Sequence, residues 1–148
     1  MKPLINLLLI LSLFFMENCS GSKYSIAELP ELQLNFGNGG GFTGAENMFV
    51  LLKNGQAFKK NSLSKETMEL PNIKRKLIKD IFKQAESLDL NNLDINTPGN
   101  MYKFIELKLP GVVSKRLSWG SPDNPVDEKI EGLYTTLTEL VKEKPVEE

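Results

Sequence analysis

The side chains that most often perform catalysis are scarce in this 148-residue chain. Histidine is absent and Cys19 is the only cysteine, which excludes internal disulfides, histidine-activated nucleophiles and imidazole metal sites. An active site would have to use carboxylates, lysine or tyrosine alone, and no spacing of these residues assembles a nucleophile with its base or a metal cluster. We therefore predict that the protein is not an enzyme and uses no cofactor or metal.

The most unusual stretch is Gly37 to Gly44, GNGGGFTG, which holds five of the eleven glycines. Gly39, Gly41 and Gly44 match G-x-G-x-x-G, but the dinucleotide-binding motif opens a helix within a βαβ unit, and a strand-like run follows here. Because glycine reaches φ > 0 without steric cost, the stretch predicts an unusual backbone path. It either turns a hairpin that packs Phe42 into the core or presents Phe42 to a partner. A sheet edge seldom leaves an aromatic wholly exposed, so we expect Phe42 to be at least half buried.

Two further side chains have alternative roles. Glu106 lies on a predicted strand, where an ion pair with Lys115 or Arg116 on the returning strand is favoured over acid catalysis. Trp119 either anchors a partner or closes one edge of the core, and the second role is favoured.

The N-terminus has the features of an export signal. Lys2 precedes an apolar run from Pro3 to Met16, which is too short to span a bilayer but has the length of a signal-peptide hydrophobic region. Cys19 at the end of this segment resembles the acylated cysteine of bacterial lipoproteins. The alternative is ordinary secretory cleavage near residues 20–22, but a lone cysteine at this boundary has no disulfide partner. We predict a signal peptide over residues 1–18 and lipidation of Cys19, with palmitate among the attached acids. The protein would then lie in the cell envelope, anchored to the outer membrane on its periplasmic or surface face.

The charge and length of the chain limit the class of partner and the number of domains that we expect. The 18 basic and 19 acidic residues nearly cancel, so the net charge does not favour nucleic acid as a partner. Residues 19–31 predict a lipid-anchored tether, and residues 32–142 are long enough for one folded domain. Residues 143–148 form a charged tail.

The apolar periodicity of the domain predicts a first strand, two hairpins and two helices. The first strand covers Leu32 to Phe36, and Asn54-Gly55 predicts a two-residue type I′ turn in the first hairpin. Pro71 to Leu88 predicts a helix with an apolar stripe on one face. Its other face is basic and is either solvated, which is favoured, or in contact with anionic lipid or an acidic partner. The residues of this basic face are Lys74, Arg75, Lys76, Lys79 and Lys83.

The second half of the domain completes the predicted fold. Ser62 to Glu69 reads as a loop, and a hairpin of Tyr102 to Leu109 with Val112 to Trp119 precedes a last helix, capped by Asn124 and opened by Pro125. These elements predict an α+β fold, a two-layer sandwich in which an antiparallel sheet of about five strands carries both helices on one face.

The run Gly40-Gly41-Phe42-Thr43-Gly44 after a first strand resembles the Gly-Gly-Phe-Ala-Gly segment of the emfourin-like proteins, small bacterial inhibitors of thermolysin-like metallopeptidases. The similarity continues through Tyr102 and Ile105 on a strand, then Pro125, and Leu133 and Leu137 on the closing helix. The resemblance implies a protease inhibitor with a metallopeptidase as partner, and together with the predicted anchor it indicates a non-enzymatic binding module of the cell envelope. The alternative is a structural envelope lipoprotein without inhibitory activity. The partner-binding candidates are Gly39, Gly40, Gly41, Phe42, Thr43 and Trp119.

Overall fold

The computed structural model describes residues 23–142, which form an α+β fold with an open mixed sheet of seven strands and two helices. The predicted signal peptide, Cys19 and the charged tail lie outside the described residues. In the part of the chain that is described, no helix is long and apolar enough to cross a membrane. The strands are β1 (Gln33–Gly40), β2 (Ala45–Leu52), β3 (Ala57–Asn61), β4 (Thr67–Leu70), β5 (Asn96–Thr97), β6 (Met101–Lys108) and β7 (Arg116–Trp119), and the helices are α1 (Arg75–Ser87) and α2 (Glu128–Val141).

The strands lie in the order β4-β3-β2-β1-β6-β7-β5. All neighbours are antiparallel except β5, which runs parallel to β7. The prediction of about five antiparallel strands was therefore wrong in two respects. The sheet has seven strands, and one pair of neighbours is parallel. β4 has four residues, three of them in the predicted loop, and β5 has only two, so neither is long or regular enough to give a periodic pattern.

Both helices pack on the same face of the sheet, and their apolar stripes form the main core with it. Each large side chain that is fully buried here contributes about 1.5–3 kcal/mol to stability. The sheet contributes Leu34, Phe36, Leu51, Ile105, Leu107 and Leu117, and the helices contribute Ile78, Phe82, Ile130, Leu133 and Leu137.

The helices begin later than predicted. Pro71 precedes α1 by four residues because the backbone N–H of Ile73 donates to Gly55 O at 2.9 Å, which holds this segment against the β2–β3 turn. α2 begins at Glu128, and its cap is Asp127, whose carboxylate accepts a hydrogen bond from Lys129 N at 2.8 Å. Asn124 and Pro125 therefore precede the helix.

The first predicted hairpin is present, but its turn differs from the predicted type. Gly55 has φ +98°, whereas Asn54 is not among the residues with positive φ. A type I′ turn requires positive φ at both positions. The Asn54 side chain instead accepts a hydrogen bond from Gln56 N at 3.0 Å, which closes a longer loop.

Residues 24–29 lie against the face of the sheet opposite the helices, whereas Leu32 packs against the main core. Tyr24 and Leu29 pack on a second buried cluster, formed by Val50, Leu52 and Phe58. Tyr24 N donates to Gln56 Oε1 at 2.7 Å, and Gln56 Nε2 donates to Tyr24 O at 3.1 Å. The part of the predicted tether that begins at Lys23 is therefore attached to the folded domain.

The sheet has two opposite ends. At the first, the entry end, Gln33 pairs with Leu52, and the first described residues lie beside the β2–β3 turn. At the other, the tip end, Gly40 pairs with Ala45 and with Met101. The eight residues of β1 separate the two ends by about 23 Å.

Candidate functional site at the glycine hairpin

β1 does not end at Phe36 as predicted but continues to Gly40, so half of the glycine stretch lies within the sheet. Gly37 pairs with Phe104 and Gly39 with Tyr102 on β6. A Cβ on Gly39 would lie 2.6 Å from the Tyr102 hydroxyl oxygen, and a Cβ on Gly37 would lie 2.0 Å from Asn47 O and 2.9 Å from the Phe104 ring. These two glycines are needed because neighbouring strands occupy the space of a side chain.

The hairpin tip, residues 41–44, presents Phe42 to solvent. The relative exposure of Phe42 is 108%, which is that of a side chain without covering neighbours. The expectation that Phe42 is at least half buried was therefore wrong. The reason is that β1 and β2 stay paired as far as Gly40 and Ala45 and carry the tip beyond the core. Thr43 is also exposed, and its hydroxyl accepts a weak hydrogen bond from Ala45 N at 3.3 Å.

Gly40 and Gly41 fix the backbone at the base of the tip. Their φ angles are +102° and +73°, values that residues other than glycine rarely adopt. Gly41 N donates to Asn100 O at 2.8 Å, and Gly44 N donates to Gly41 O at 3.2 Å. A Cβ on Gly40 would lie only 2.1 Å from Asn100 O. The tip is thus a presented loop whose base is tied to the segment that precedes β6.

Met101 lies beside the tip and adds a second apolar side chain. It is 59% exposed, and its Sδ lies 3.2 Å from the position that a Cβ on Gly41 would take. The sequence did not single out Met101, because only its pairing with Gly40 brings it to this end of the sheet. Phe42 and Met101, the apolar pair, are the exposed hydrophobic groups of the site.

Behind the tip, Glu46 on β2 connects to β6 and β7. Its Oε2 accepts hydrogen bonds from the Tyr102 hydroxyl at 2.9 Å and from Arg116 Nη2 at 2.5 Å. The Arg116 guanidinium lies 3.5 Å from the centroid of the Phe104 ring. Burial raises the pKa of Tyr102, and the hydrogen bond and charge of Glu46 raise it further, with Arg116 opposing them. This network, on the face opposite the helices, holds the strands that carry the tip.

The predicted ion pair of Glu106 with a basic residue on β7 is replaced by two neutral partners. Arg116 lies directly across from Glu106 in the ladder, but its side chain reaches Glu46 instead. The Glu106 carboxylate accepts hydrogen bonds from Asn35 Nδ2 at 3.2 Å and from the Ser114 hydroxyl at 2.7 Å. Glu106 therefore has a local structural role.

Trp119 lies in the core, which is the role that the sequence favoured. It is 4% exposed, its Nε1 donates to Glu131 Oε2 at 2.8 Å, and its ring meets Tyr134 edge-on with centroids 5.5 Å apart. Of the partner-binding candidates, Gly39 and Trp119 are buried and Gly40 and Gly41 form the base of the tip. Phe42 and Thr43 are the candidates that a partner could contact directly.

Comparisons with family models, with curated proteins and with solved structures find no match to this chain. Within residues 23–142, no three side chains of the Cys, Asp and Glu types lie close enough together to hold a metal ion. The site is therefore interpreted from its own geometry, a hairpin tip with a fixed base and an exposed aromatic side chain.

Proposed function

We propose that this chain is a non-enzymatic binding module of the cell envelope, anchored by lipid at Cys19, that inserts its hairpin tip into a protein partner. The observation that carries the proposal is the full exposure of Phe42 on a hairpin with a fixed base. Burying such a side chain would stabilise the fold by about 1.5–3 kcal/mol, and this residue contributes none of that. Its exposure is more easily explained by binding than by folding.

The geometry of the tip suits insertion. Binding reduces the conformational entropy of loops and side chains. A loop that is already fixed in the free protein loses less entropy when it binds. Gly40 and Gly41 hold the tip to Asn100 in the free protein. Aromatic side chains that enter a pocket of the partner commonly dominate the affinity of an interface, and Met101 would add apolar contact at its rim.

We propose a thermolysin-like metallopeptidase as the first partner to test. The support is the resemblance to the emfourin-like inhibitors, whose most specific segment corresponds to Gly40 to Gly44, the base and tip of the hairpin. Enzyme clefts are concave and mostly apolar, so a projecting aromatic residue on a narrow hairpin complements them.

The proposal is tested by titrating a thermolysin-like metallopeptidase with the full chain. We expect wild-type protein to inhibit and Phe42→Ala to weaken binding by about 30-fold or more, as for an aromatic hot spot. The thermal midpoint should change little, because Phe42 buries almost no surface. Val113→Ala, which shortens another exposed apolar side chain, 88% exposed and outside the tip, is the matched control and should inhibit like wild type.

Two results would contradict this assignment. Equal inhibition by wild type and Phe42→Ala would remove the tip from the interface. Absence of inhibition by the wild type would favour the alternative, a structural envelope lipoprotein without inhibitory activity.

The anchor is tested by metabolic labelling with a fatty-acid analogue. Acyl chains contribute about 0.8 kcal/mol per buried methylene, so several chains would hold the domain on a membrane. We expect label on the wild type and none on Cys19→Ser, which should leave the membrane fraction or stay unprocessed. Ser20→Ala, one residue further on, should keep the label. An unlabelled wild type would exclude the anchor.

A further inference from the structure

The entry end of the sheet is fixed where the chain leaves the predicted anchor. Lys23 Nζ lies 3.4 Å from Glu69 Oε1, and the next residue, Tyr24, is held through its main chain by Gln56. Cys19 precedes Lys23 by four residues, which can span no more than about 14 Å. A lipid on Cys19 would therefore keep the entry end, and no other end, close to the bilayer.

The side chains around this point are mostly basic. Lys23, Lys74 and Arg75 line a groove of about 510 Å³ beside the β2–β3 turn. Lys53 and Arg75 line the adjoining groove together with Tyr24. Lys76 follows on the exposed side of α1. These five residues, Lys23, Lys53, Lys74, Arg75 and Lys76, are called the basic end.

Two acidic groups form ion pairs with the basic end, and Glu28 and Glu31 are further exposed acidic residues of the segment that leads into β1. Glu69 pairs with Lys23, and Glu86 lies 3.9 Å from Lys53. Among residues 23–142, Lys74, Arg75 and Lys76 form no ion pair within 4.0 Å. Three cations at this end are thus available to an anionic surface.

Their position is unfavourable for the helix itself. Lys74, Arg75 and Lys76 lie at the N-terminus of α1, whose first turn contains no acidic residue. The helix dipole is positive at this end, so cations there destabilise the helix in solution while an external anion is attracted. Helix stability does not explain these residues, whereas contact with an anionic surface does.

The tip end carries two acidic residues beside one basic residue. Asp127 caps α2, Glu128 begins it and the exposed Lys129 follows; Glu128 lines a groove with Gly120, whose main chain approaches that of Met101. Acidic residues near the tip would be repelled by an anionic bilayer, and basic residues at the entry end would be attracted to it. The charges of the two ends therefore orient the molecule in the same sense as the short connection to Cys19.

We propose that the basic end is a membrane-contacting surface that binds anionic lipid headgroups and holds the domain upright, with the hairpin tip pointing away from the bilayer. This inference rests on the proposed anchor at Cys19. It adds a second attachment, which is electrostatic, and the orientation that follows from it. Two attachments hold a protein on a membrane more firmly than one.

The test uses the full chain, produced in a bacterial host, extracted from membranes and reconstituted in vesicles. The vesicles contain phosphatidylcholine alone or an equimolar mixture with phosphatidylglycerol. A fluorophore is attached at Asn72→Cys, in the basic groove, or at Asn124→Cys, near the tip end, and its quenching by aqueous acrylamide is measured. Cys19 does not take the fluorophore once it is acylated.

We expect the fluorophore at Asn72→Cys to be protected only in the anionic vesicles, and the one at Asn124→Cys to be quenched equally in both. Raising the salt concentration should remove the protection, because it screens the attraction. The triple variant Lys74→Glu, Arg75→Glu, Lys76→Glu should also remove it, since each basic residue near an anionic surface changes the equilibrium by about fivefold. This variant should fold at least as stably as wild type, because acidic residues suit a helix N-terminus.

The matched control reverses the same number of charges elsewhere. Lys65→Glu, Lys129→Glu and Lys142→Glu change exposed lysines that are not part of the basic end and should leave the protection intact. If the chain remains on both kinds of vesicle with equal quenching at Asn72→Cys, the membrane-contacting surface is refuted and the anchor stands. If the wild type binds only anionic vesicles and the triple variant binds neither, the surface is supported and the anchor is refuted.

Discussion

At the scale of the residue, the glycines of the hairpin meet different physical requirements. Gly39 leaves room for the Tyr102 ring, and Gly40 combines positive φ with close approach to the main chain of Asn100. Gly44 has positive φ, +62°, but nothing lies within 4 Å of the position of its Cβ. The cost of adding a methyl group should therefore differ strongly among them.

Replacing Gly40 by alanine should destabilise the protein more than replacing Gly44. The Gly44→Ala change forces alanine into the left-handed region, which costs about 1–2 kcal/mol. Gly40→Ala places a Cβ only 2.1 Å from Asn100 O, so the main chain must move, and we expect a loss of about 3 kcal/mol or more. Chemical denaturation of both variants measures the difference, and equal free energies of unfolding would contradict it.

Glycine density predicted an unusual backbone within this stretch, and Gly40, Gly41 and Gly44 have positive φ, but it did not predict where the first strand ends. The sequence places the end of the first strand at Phe36, because Gly37 has no side chain to continue the alternating pattern. In the structure, Phe104 and Tyr102 of β6 cover Gly37 and Gly39 and extend the strand. The exposure of Phe42 follows from this extension, which depends on strand pairing between residues distant in sequence.

At the scale of the element, α2 is attached to the sheet by a polar cluster at the border of the core. Glu131 accepts hydrogen bonds from Lys103 on β6 and from Trp119 on β7. The Lys103 ammonium also lies 5.3 Å from the centroid of the Tyr134 ring. Burial raises the pKa of Glu131, but the hydrogen bonds from Lys103 and Trp119 and the charge of Lys103 outweigh it, so the pKa lies below its usual value of 4.5.

The Glu131 cluster should make stability depend on pH in acid. A carboxyl whose pKa is lower in the folded state stabilises the fold above its unfolded pKa of 4.5, and this contribution is lost as the pH falls through the folded pKa. We expect Glu131→Gln to be less stable than wild type at neutral pH and the difference to shrink below pH 4.5. The effect should be modest, since the side chain is 38% exposed to screening solvent.

Thermal unfolding from neutral to acidic pH measures this dependence. Glu139→Gln, on an exposed position of the same helix, is the control and should follow the wild type at every pH. A constant difference between Glu131→Gln and wild type across the acidic range would contradict the role of ionised Glu131.

Elements whose apolar residues recur at a regular spacing could be predicted from the sequence, and the two short strands could not. The stripes of Ile78, Phe82, Leu133 and Leu137 identified both helices and the face they bury. β4 and β5 have four and two residues, and they exist because β3 and β7 offer free edges for them to join. Such short strands are determined by tertiary contacts that no local window contains.

At the scale of the whole molecule, the segment of residues 23–32 sets how closely the domain is held to its predicted anchor. Gln56, which is 3% exposed, is the centre of this attachment. Its side chain bonds the main chain of Tyr24 twice and also meets Glu69 and Asn54. With the segment docked, residues 19–22 alone connect the anchor to the domain. If the segment were released, the connection would lengthen by about ten residues and the orientation would be lost.

Gln56→Ala should release the segment. The change leaves the N–H and C=O groups of Tyr24 without their partners, at a cost of about 1–3 kcal/mol. We expect faster cleavage by protease within residues 23–32, detected by mass spectrometry of the fragments. Gln84→Ala, at an exposed site on α1, should be cut at the wild-type rate. Unchanged cleavage in Gln56→Ala would show that the segment is held without the hydrogen bonds of Gln56.

The outer strands of the sheet have a consequence for neighbouring copies of the protein. An unpaired strand edge is a template on which another chain can add, and lipid-anchored molecules are concentrated in a thin layer where such encounters are frequent. β4 and β5 form the two edges, and they offer only four and two residues. A strand this short gives an incoming chain few hydrogen bonds. If the chain is anchored as proposed, copies crowded on one membrane should therefore remain separate rather than aggregate edge to edge.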